Sequence, residues 1–189
     1  MSRVGQLLIA SPGRPDEFRR SLVLILREDE DLVTGAILNR PIGQSLKEVW
    51  SDLDTNCKCQ REDSIYFGGP VFGPMHAIHK SPEFSEDEVL PGLYWSMTSD
   101  KLNQIVISKD SFRILTGYAK WDREQLENEI ANFGWLVFPQ EVPQFDIIFG
   151  TDPDRMYVPD VWKKGYMALS RQKWQQLGLN HVPTDVRLN

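Results

Sequence analysis

The segments Ser-Leu-Val-Leu-Ile-Leu-Arg at residues 21–27 and Val-Thr-Gly-Ala-Ile-Leu-Asn at residues 33–39 decide the fold of this chain. The first is a continuous apolar run, which is typical of a strand buried on both faces. A charged turn at residues 28–31 separates the two segments, so we expect them to form a hairpin. Pro41 is expected to end the second strand, because proline lacks the amide that pairs strands.

Elsewhere strands predominate and helices are inserted one at a time. Further strands are predicted at residues 6–11, 65–67, 75–80, 93–97, 112–118, 135–138 and 145–149, with 65–67 paired to 75–80. Helices are predicted at residues 45–53, 99–107 and 122–133 and within 160–177, and surface loops at 54–63 and 81–91. This order favours an α+β fold with a mixed sheet, in one domain spanning residues 1–189.

Two helix starts carry the pattern of a capping box, in which two side chains three residues apart satisfy unpaired amides. The pairs are Ser45 with Glu48 and Asp122 with Gln125. Gly134 is expected to take the left-handed conformation that commonly ends a helix.

The charge balance bears on the possible partners. The chain has 21 basic and 27 acidic residues and a net charge of −6, so nucleic acid is not expected as a partner. Arg14, Arg19 and Arg20 form a small basic cluster, which we interpret as solvated arginines at a strand entrance. We find no apolar stretch long enough to span a membrane and no signal-peptide core, so we expect a cytoplasmic protein without a membrane partner.

The cysteines and histidines do not form a convincing metal site. Cys57 and Cys59 are too closely spaced for a usual zinc knuckle, and His76 and His79 would point to opposite faces of a strand. We therefore expect no metal and no cofactor. The two cysteines are interpreted either as a redox-sensitive pair or, preferably, as ordinary loop residues.

Arg40 lies at a strand end in the segment Asn39-Arg40-Pro41. Its planar guanidinium could bind a carboxylate or phosphate, or could pair with an acidic neighbour to fix the turn; we weigh the two equally. The turn Gly68-Gly69-Pro70 offers amides that could hold an anion, although a tight turn requires the same residue types.

Trp121 and Gln125 lie at the start of a predicted helix, whose N-terminus attracts anions. In the alternative interpretation, Trp121 packs in the core and Gln125 completes the helix cap. The predicted binding cleft consists of Asn39, Arg40, Pro41, Gly68, Gly69, Pro70, His79, Trp121 and Gln125. No catalytic residue is assigned, because no nucleophile has a base fixed beside it.

The chain resembles a known family through several motifs in a specific order. The motifs lie at residues 12–21, 35–41, 68–70 and 117–130. Together they are similar to those of the AlgH/YqgE family of bacterial proteins over nearly the whole chain. The resemblance implies a bifurcated, mixed β-sheet curled into a pseudo-barrel, with helices packed outside. Three glycines of the usual family motif are replaced here by Lys120, Asp122 and Glu124.

The resemblance implies little about activity. The family is often labelled a transcriptional regulator, and no reaction is attached to it. Our leading hypothesis is a non-enzymatic regulatory domain that binds a small anionic ligand or a protein segment in the predicted cleft. The alternatives are a regulator acting directly on DNA and an enzyme of unrecognised type that uses His76 or His79 with Arg40. The sequence does not predict the oligomeric state.

Overall fold

The computed structural model describes residues 2–53, 57–138, 148–149, 162–163, 166–167 and 169–170. The strands are β1 (Leu7–Ala10), β2 (Leu22–Glu28), β3 (Leu32–Ile37), β4 (Pro41–Ser45), β5 (Ser64–Phe67), β6 (Val71–His79), β7 (Asp87–Leu90), β8 (Leu93–Ser96), β9 (Phe112–Asp122) and β10 (Trp135–Val137). The helices are α1 (Leu46–Asp52), α2 (Ser99–Ile107) and α3 (Arg123–Ala131), with a 3-10 turn at Pro82–Phe84.

The predicted hairpin is confirmed. Strands β2 and β3 pair antiparallel, with Val23 opposite Ile37 and Leu24 opposite Ala36. The first five residues of β2 are all buried, as its continuous apolar run predicts. Both faces of this strand are covered because separate groups of apolar residues pack on the two sides of the sheet.

The sheet branches at β9. One edge of β9 pairs first with β5, at Leu115 and Thr116, and further along with β3, from Ala119 to Asp122. The other edge pairs with β6. The main path of the sheet runs β10-β1-β2-β3-β9-β6-β8-β7, and β4 and β5 form the branch. The sheet is mixed because β5 and β9 run parallel, and it is bifurcated because β4 and β5 branch from the main path. Both features agree with what the resemblance implied.

The α+β class predicted from the order of the elements is therefore confirmed. The sheet of the described residues is not closed into a barrel, because no pairing joins its end strands β10 and β7. Helices α1 and α2 pack on an apolar group from β5, β6 and β9, whereas α3 packs through Leu126 on a separate apolar group that includes Val33 and Ile37 of β3. No helix in the described ranges has the length and apolar content needed to cross a bilayer.

The branch requires glycine because three backbone segments come into contact there. Gly117 has φ +71°, a backbone conformation that residues other than glycine rarely adopt. A Cβ atom on Gly68 would lie 2.3 Å from the carbonyl oxygen of Gly117. The Gly-Gly-Pro turn thus has a structural requirement that the sequence could not separate from anion binding.

The first capping box is confirmed, and the second is wrong. The Ser45 hydroxyl accepts from the Glu48 amide at 3.2 Å, and the Glu48 carboxylate accepts from the Ser45 amide at 2.8 Å. Asp122 is the N-cap residue of α3 but makes no side-chain capping bond. Gln125 instead donates to the Glu129 carboxylate at 2.9 Å, so it is bound within the helix surface.

The end of α3 differs from the prediction by one residue. Phe133, not Gly134, has the left-handed conformation, with φ 58°. The Gly134 amide donates to the Glu129 carbonyl at 2.7 Å, which closes the helix in a Schellman arrangement.

Several other element predictions need correction. Strand β3 ends at Ile37, before Pro41, but Pro41 also begins the unpredicted strand β4, because a first strand position does not need the missing amide. Residues 75–80 fall in and after β6, which pairs with β9 and β8, not with β5. The predicted loop at 81–91 contains the 3-10 turn and β7, and β9 extends to Asp122.

Two late predictions fall mostly outside the described residues. Residues 145–147 of the predicted strand at 145–149 are not described, and Ile148 within it is helical. Of the predicted helical segment 160–177, only the described residues after 161 can be assessed, and these are helical.

Candidate functional site

The structure brings two of the predicted motifs together. The Phe67 amide donates to the Arg40 carbonyl at 2.7 Å, and the Ile37 amide donates to the Gly68 carbonyl at 2.7 Å. Pro41 lies opposite Tyr66 in the pairing of β4 with β5. The Asn39–Pro41 strand end therefore runs beside the Gly68–Pro70 turn.

The other predicted cleft residues lie elsewhere. His79 is opposite Phe112 at the start of β9, whereas Trp121 is near the end of β9, opposite Val33. Nine residues separate the two positions on β9, which is about 30 Å at about 3.3 Å per residue. Gln125 follows on α3 and is exposed. The nine predicted residues thus do not form one cleft.

Trp121 is part of the core. Its exposed fraction is 2%, and its ring packs against Phe18 at 5.3 Å and Trp135 at 5.8 Å between ring centroids. The structure therefore corrects the prediction that Trp121 lines a cleft wall and favours the alternative of a core aromatic.

Asn39 is buried, and its side chain binds the backbone at the start of β2. Its Oδ1 accepts from the Leu22 amide at 2.9 Å, and its Nδ2 donates to the Arg20 carbonyl at 2.9 Å. Buried amide groups need such partners, so Asn39 fixes the segment that carries Arg20. Arg20 itself has φ 57°, which is uncommon for a residue other than glycine and positions the backbone in a sharp turn.

The Gly68 amide does not face a ligand. It donates to the Thr116 carbonyl at 2.8 Å as part of the branch in the sheet. The Gly68–Gly69 backbone packs so closely on β9 that added Cβ atoms would lie 2.3 Å from β9 backbone atoms. Only Pro70 of this turn is exposed. These contacts favour the structural interpretation of the turn.

Arg40 is braced by the loop in front of β2. It is half-buried, and its Nη2 donates to the Arg19 carbonyl at 3.0 Å and to the Ser21 hydroxyl at 2.9 Å. Its guanidinium lies 6.0 Å from the centroid of the Phe67 ring. Burial lowers the pKa of Arg40, and the negative charges of Asp16 and Glu17 partly oppose this change. Within the described ranges, Nε and Nη1 of Arg40 have no hydrogen-bond acceptor and no carboxylate lies within ion-pair distance.

Most other arginines of the described residues are paired with carboxylates. The pairs are Arg3 with Glu127, Arg14 with Asp16 and Glu129, Arg27 with Asp29, Arg61 with Asp63, and Arg123 with Glu28. Arg19, Arg20 and Arg40 have no ion pair with a described residue. The Arg40 guanidinium donates to the Arg19 carbonyl, and the Asn39 side chain donates to the Arg20 carbonyl. We call the three arginines the arginine cluster.

The sequence had grouped Arg14 with Arg19 and Arg20, and the structure separates it. Arg14 donates to Glu129 at 2.8 Å and lies over the Trp135 ring at 4.5 Å from its centroid. Its charge is therefore used inside the protein, whereas that of Arg40 remains available.

A pocket of about 250 Å³ lies on the other face of β5. Successive strand residues point to opposite faces, so Tyr66 faces this pocket whereas Phe67 lies under Arg40. The buried Arg113 lines the pocket, stacks on Tyr66 at 4.5 Å and donates to the Leu38 carbonyl. Sequence reasoning missed Arg113, because nothing in an apolar strand distinguishes a buried arginine from an exposed one.

The two described histidines have structural contacts. Nδ1 of His76 accepts from the Trp95 indole at 3.0 Å, so Nε2 carries the proton and donates to the Gly117 carbonyl at 3.0 Å. Nε2 of His79 is 3.0 Å from the hydroxyl of Ser96. Burial lowers the pKa of both histidines, so both are neutral near pH 7. Arg40 is not in contact with either ring, which removes the geometric support for the enzyme alternative.

The cysteines contact the backbone of α2. The Cys57 thiol lies 3.3 Å from the Asn103 carbonyl, and the Cys59 thiol lies 3.8 Å from the Val106 carbonyl. Burial raises the pKa of Cys57, which disfavours the reactive thiolate. Among the residues that the structure describes, no group of three or more potential His, Cys, Asp or Glu ligands could hold a metal ion.

Comparison with known proteins assigns the family. A family model described as AlgH-like matches residues 7–168. The chain belongs to the AlgH-like family. It is 30% identical over 173 residues to a UPF0301 protein of Chlorobaculum parvum, covering 87% of this chain and 88% of the relative. A UPF0301 protein of Myxococcus xanthus is 34% identical over 157 residues, covering 80% and 84% of the two chains.

Two solved structures are similar to this AlgH-like chain. The solution structure of the AlgH protein from Pseudomonas aeruginosa aligns with a TM-score of 0.66 and 25% identity, covering 96% of this chain and 95% of that one. A crystal structure of a protein from Corynebacterium diphtheriae aligns with a TM-score of 0.67 at 21% identity, covering 91% and 87%, and supports the fold alone.

The positions where this AlgH-like chain departs from the family motif are all on the surface. Lys120, Asp122 and Glu124 are exposed, and none has a left-handed backbone conformation. Glycine is therefore not required at these positions for close backbone contact or for a special φ.

Proposed function

We propose that this AlgH-like protein is a non-enzymatic regulatory domain that binds an anionic group at the arginine cluster. The observation that supports the proposal is that three arginines without a carboxylate partner among the described residues lie on two chain segments joined by hydrogen bonds, in a protein of net charge −6. By contrast, Arg14, Arg61 and Arg123 are paired with carboxylates of the same chain.

Arg40 is positioned before any ligand arrives. Its Nη2 is held by the Arg19 carbonyl and the Ser21 hydroxyl, so little side-chain entropy remains to be lost on binding. The remaining donors suit a carboxylate or phosphate, which guanidinium groups bind through paired hydrogen bonds. A hydrogen bond to a charged group contributes about 1.5–3 kcal/mol, and the partial burial of Arg40 favours the upper part of that range.

A DNA duplex fits this surface less well than a small anionic group. Duplex-binding proteins commonly neutralise about 6–10 phosphates, and the cluster offers three arginines against a net charge of −6. We therefore favour binding of a small ligand or a protein segment over direct binding of DNA.

We propose that the protein acts in the cytoplasm as a single domain over residues 1–189. Both cysteines are free thiols, which suits a reducing compartment.

Calorimetric titration with inorganic phosphate and citrate at about 150 mM salt would test the proposed site. A ligand at about 100 times its dissociation constant adds about 2.7 kcal/mol of stability, which raises Tm by several degrees and gives a second measurement. Arg40→Ala should weaken binding by about 10–100-fold, since about 1.4 kcal/mol corresponds to a factor of ten.

Arg27→Ala is the matched control, because Arg27 is exposed and paired with Asp29 on the β2–β3 turn. It should bind phosphate and citrate as the unchanged protein does. The proposal fails if neither anion binds, or if binding persists in the variant that carries Arg19→Ala, Arg20→Ala and Arg40→Ala together with a normal melting transition.

A further inference from the structure

We infer that the anionic group is carried by an extended acidic segment of a protein partner, which also covers Phe72 with an apolar side chain. This inference rests on the proposed anion site and names its partner. It combines the unpaired charge of the arginine cluster with an exposed aromatic residue that follows the Gly68–Pro70 turn.

Phe72 is the most exposed large apolar side chain among the described residues, with an exposed fraction of 97%. It lies where the pairing of β6 with β9 shifts register between Val71 and Met75, and Pro74 lies two residues later. Such an irregularity aims a side chain away from the sheet, and the neighbouring proline restricts the backbone. Phe72 is therefore presented to solvent from a defined backbone position.

The Gly68–Pro70 turn links Phe67, which contacts Arg40, to Phe72. The Phe67 ring lies under the Arg40 guanidinium at 6.0 Å. Five residues separate Phe67 from Phe72, so their Cα atoms are at most about 17 Å apart. An extended segment of about six residues covers that distance at about 3.3 Å per residue.

Charge and exposure decide between kinds of partner. Arg19 and Pro70 are exposed and Ile42 is 39% exposed, so the cluster belongs to an open surface. A lone phosphate or carboxylate would pair with the guanidinium groups but would leave Phe72 in water. A segment with acidic residues for the cluster and one apolar residue for Phe72 uses both features, which is how aromatic and arginine residues act at protein interfaces.

Fluorescence anisotropy with labelled six-residue peptides tests this inference. One probe contains only glutamate and aspartate, and the second has phenylalanine in place of one terminal acidic residue. The apolar peptide is expected to bind about ten-fold more tightly than the acidic one. Phe72→Ala should remove that gain and leave citrate binding unchanged, whereas Arg40→Ala should weaken both peptides and citrate.

Ile107→Ala is the control, since Ile107 is 63% exposed on α2, and it should change neither peptide affinity. The inference is overturned if the two peptides bind with equal affinity, or if the phenylalanine-containing peptide still binds more tightly to the Phe72→Ala variant. In either case, citrate binding would still support the anion site. Loss of all anion binding would instead overturn the proposed function. Sedimentation that shows a dimer dissolved by Phe72→Ala would make a second copy the occupant and would also overturn the inference.

Discussion

Mild acid is expected to destabilise this protein through His76. The imidazole is buried and neutral, with Nδ1 accepting from Trp95 and Nε2 donating to the Gly117 carbonyl. Protonation would give Nδ1 a hydrogen that faces the Trp95 donor, so one of the two hydrogen bonds would be lost. Burial also lowers the pKa of His76 below its ordinary value of 6.5.

The direction of the pH effect follows from proton counting. Below pH 6.5 the unfolded chain binds a proton at this histidine that the folded protein does not, so stability is lost as pH falls from about 6.5 towards the folded pKa. A histidine that stays neutral in the folded state loses at most about 1.4 kcal/mol between pH 7.5 and 5.5. His79 shifts in the same direction, which doubles the maximum to about 2.7 kcal/mol.

Urea unfolding at pH 7.5 and pH 5.5 measures this effect. His76→Gln should lose about 1–3 kcal/mol at pH 7.5, because buried hydrogen bonds are disturbed. Its deficit should shrink by up to about 1.4 kcal/mol at pH 5.5, since glutamine does not titrate. Trp95→Phe is the control that weakens the same contact and keeps the titrating ring. If the unchanged protein and His76→Gln lose equal stability on acidification, the assignment of the pH effect to His76 is refuted.

Three further predictions concern the glycines, the caps and the thiols. Gly68→Ala should lower the unfolding free energy by more than about 2 kcal/mol, since its Cβ would meet backbone at 2.3 Å, whereas Gly13→Ala, with open space and φ +83°, should lose only about 1–2 kcal/mol in the same urea assay. Ser45→Ala should lose about 1 kcal/mol and Asp122→Ala measurably less, because only Ser45 makes a capping bond; equal losses would contradict the cap assignment. Cys57 should react with iodoacetamide at pH 7 more slowly than a free cysteine peptide, because its raised pKa leaves less thiolate, and a faster rate would contradict the burial argument.

The fold was predictable where the signal was local. The apolar run before residues 28–31 and the polarity of that turn are sufficient to predict the β2–β3 hairpin. The branch at β9 was not predictable from periodicity, because β5 pairs with residues about fifty positions later in the chain. Strand β4 was missed because a proline was taken to end pairing, although proline is tolerated at the first residue of a strand.

The candidate site was predictable only in part. Arg40 is half-buried at its strand end, and backbone hydrogen bonds join this strand end to the Gly68–Pro70 turn. Which arginines carry available charge could not be predicted in full, since one of the two carboxylates that pair with Arg14, that of Glu129, is 115 positions away. The same reason explains why Arg14 was grouped with residues from which the structure separates it.

In the proposed site, Asn39 and Arg40 divide a structural and a binding role within one strand end. The Asn39 side chain is buried and holds the Leu22 amide and the Arg20 carbonyl, so it fixes the loop that presents the cluster. Arg40 uses one nitrogen to brace against the same loop and has further donors directed away from those contacts. A change at Asn39 should therefore reduce stability and anion affinity together, whereas a change at Arg40 should act mainly on affinity. This difference separates a residue that builds the site from one that contacts the ligand.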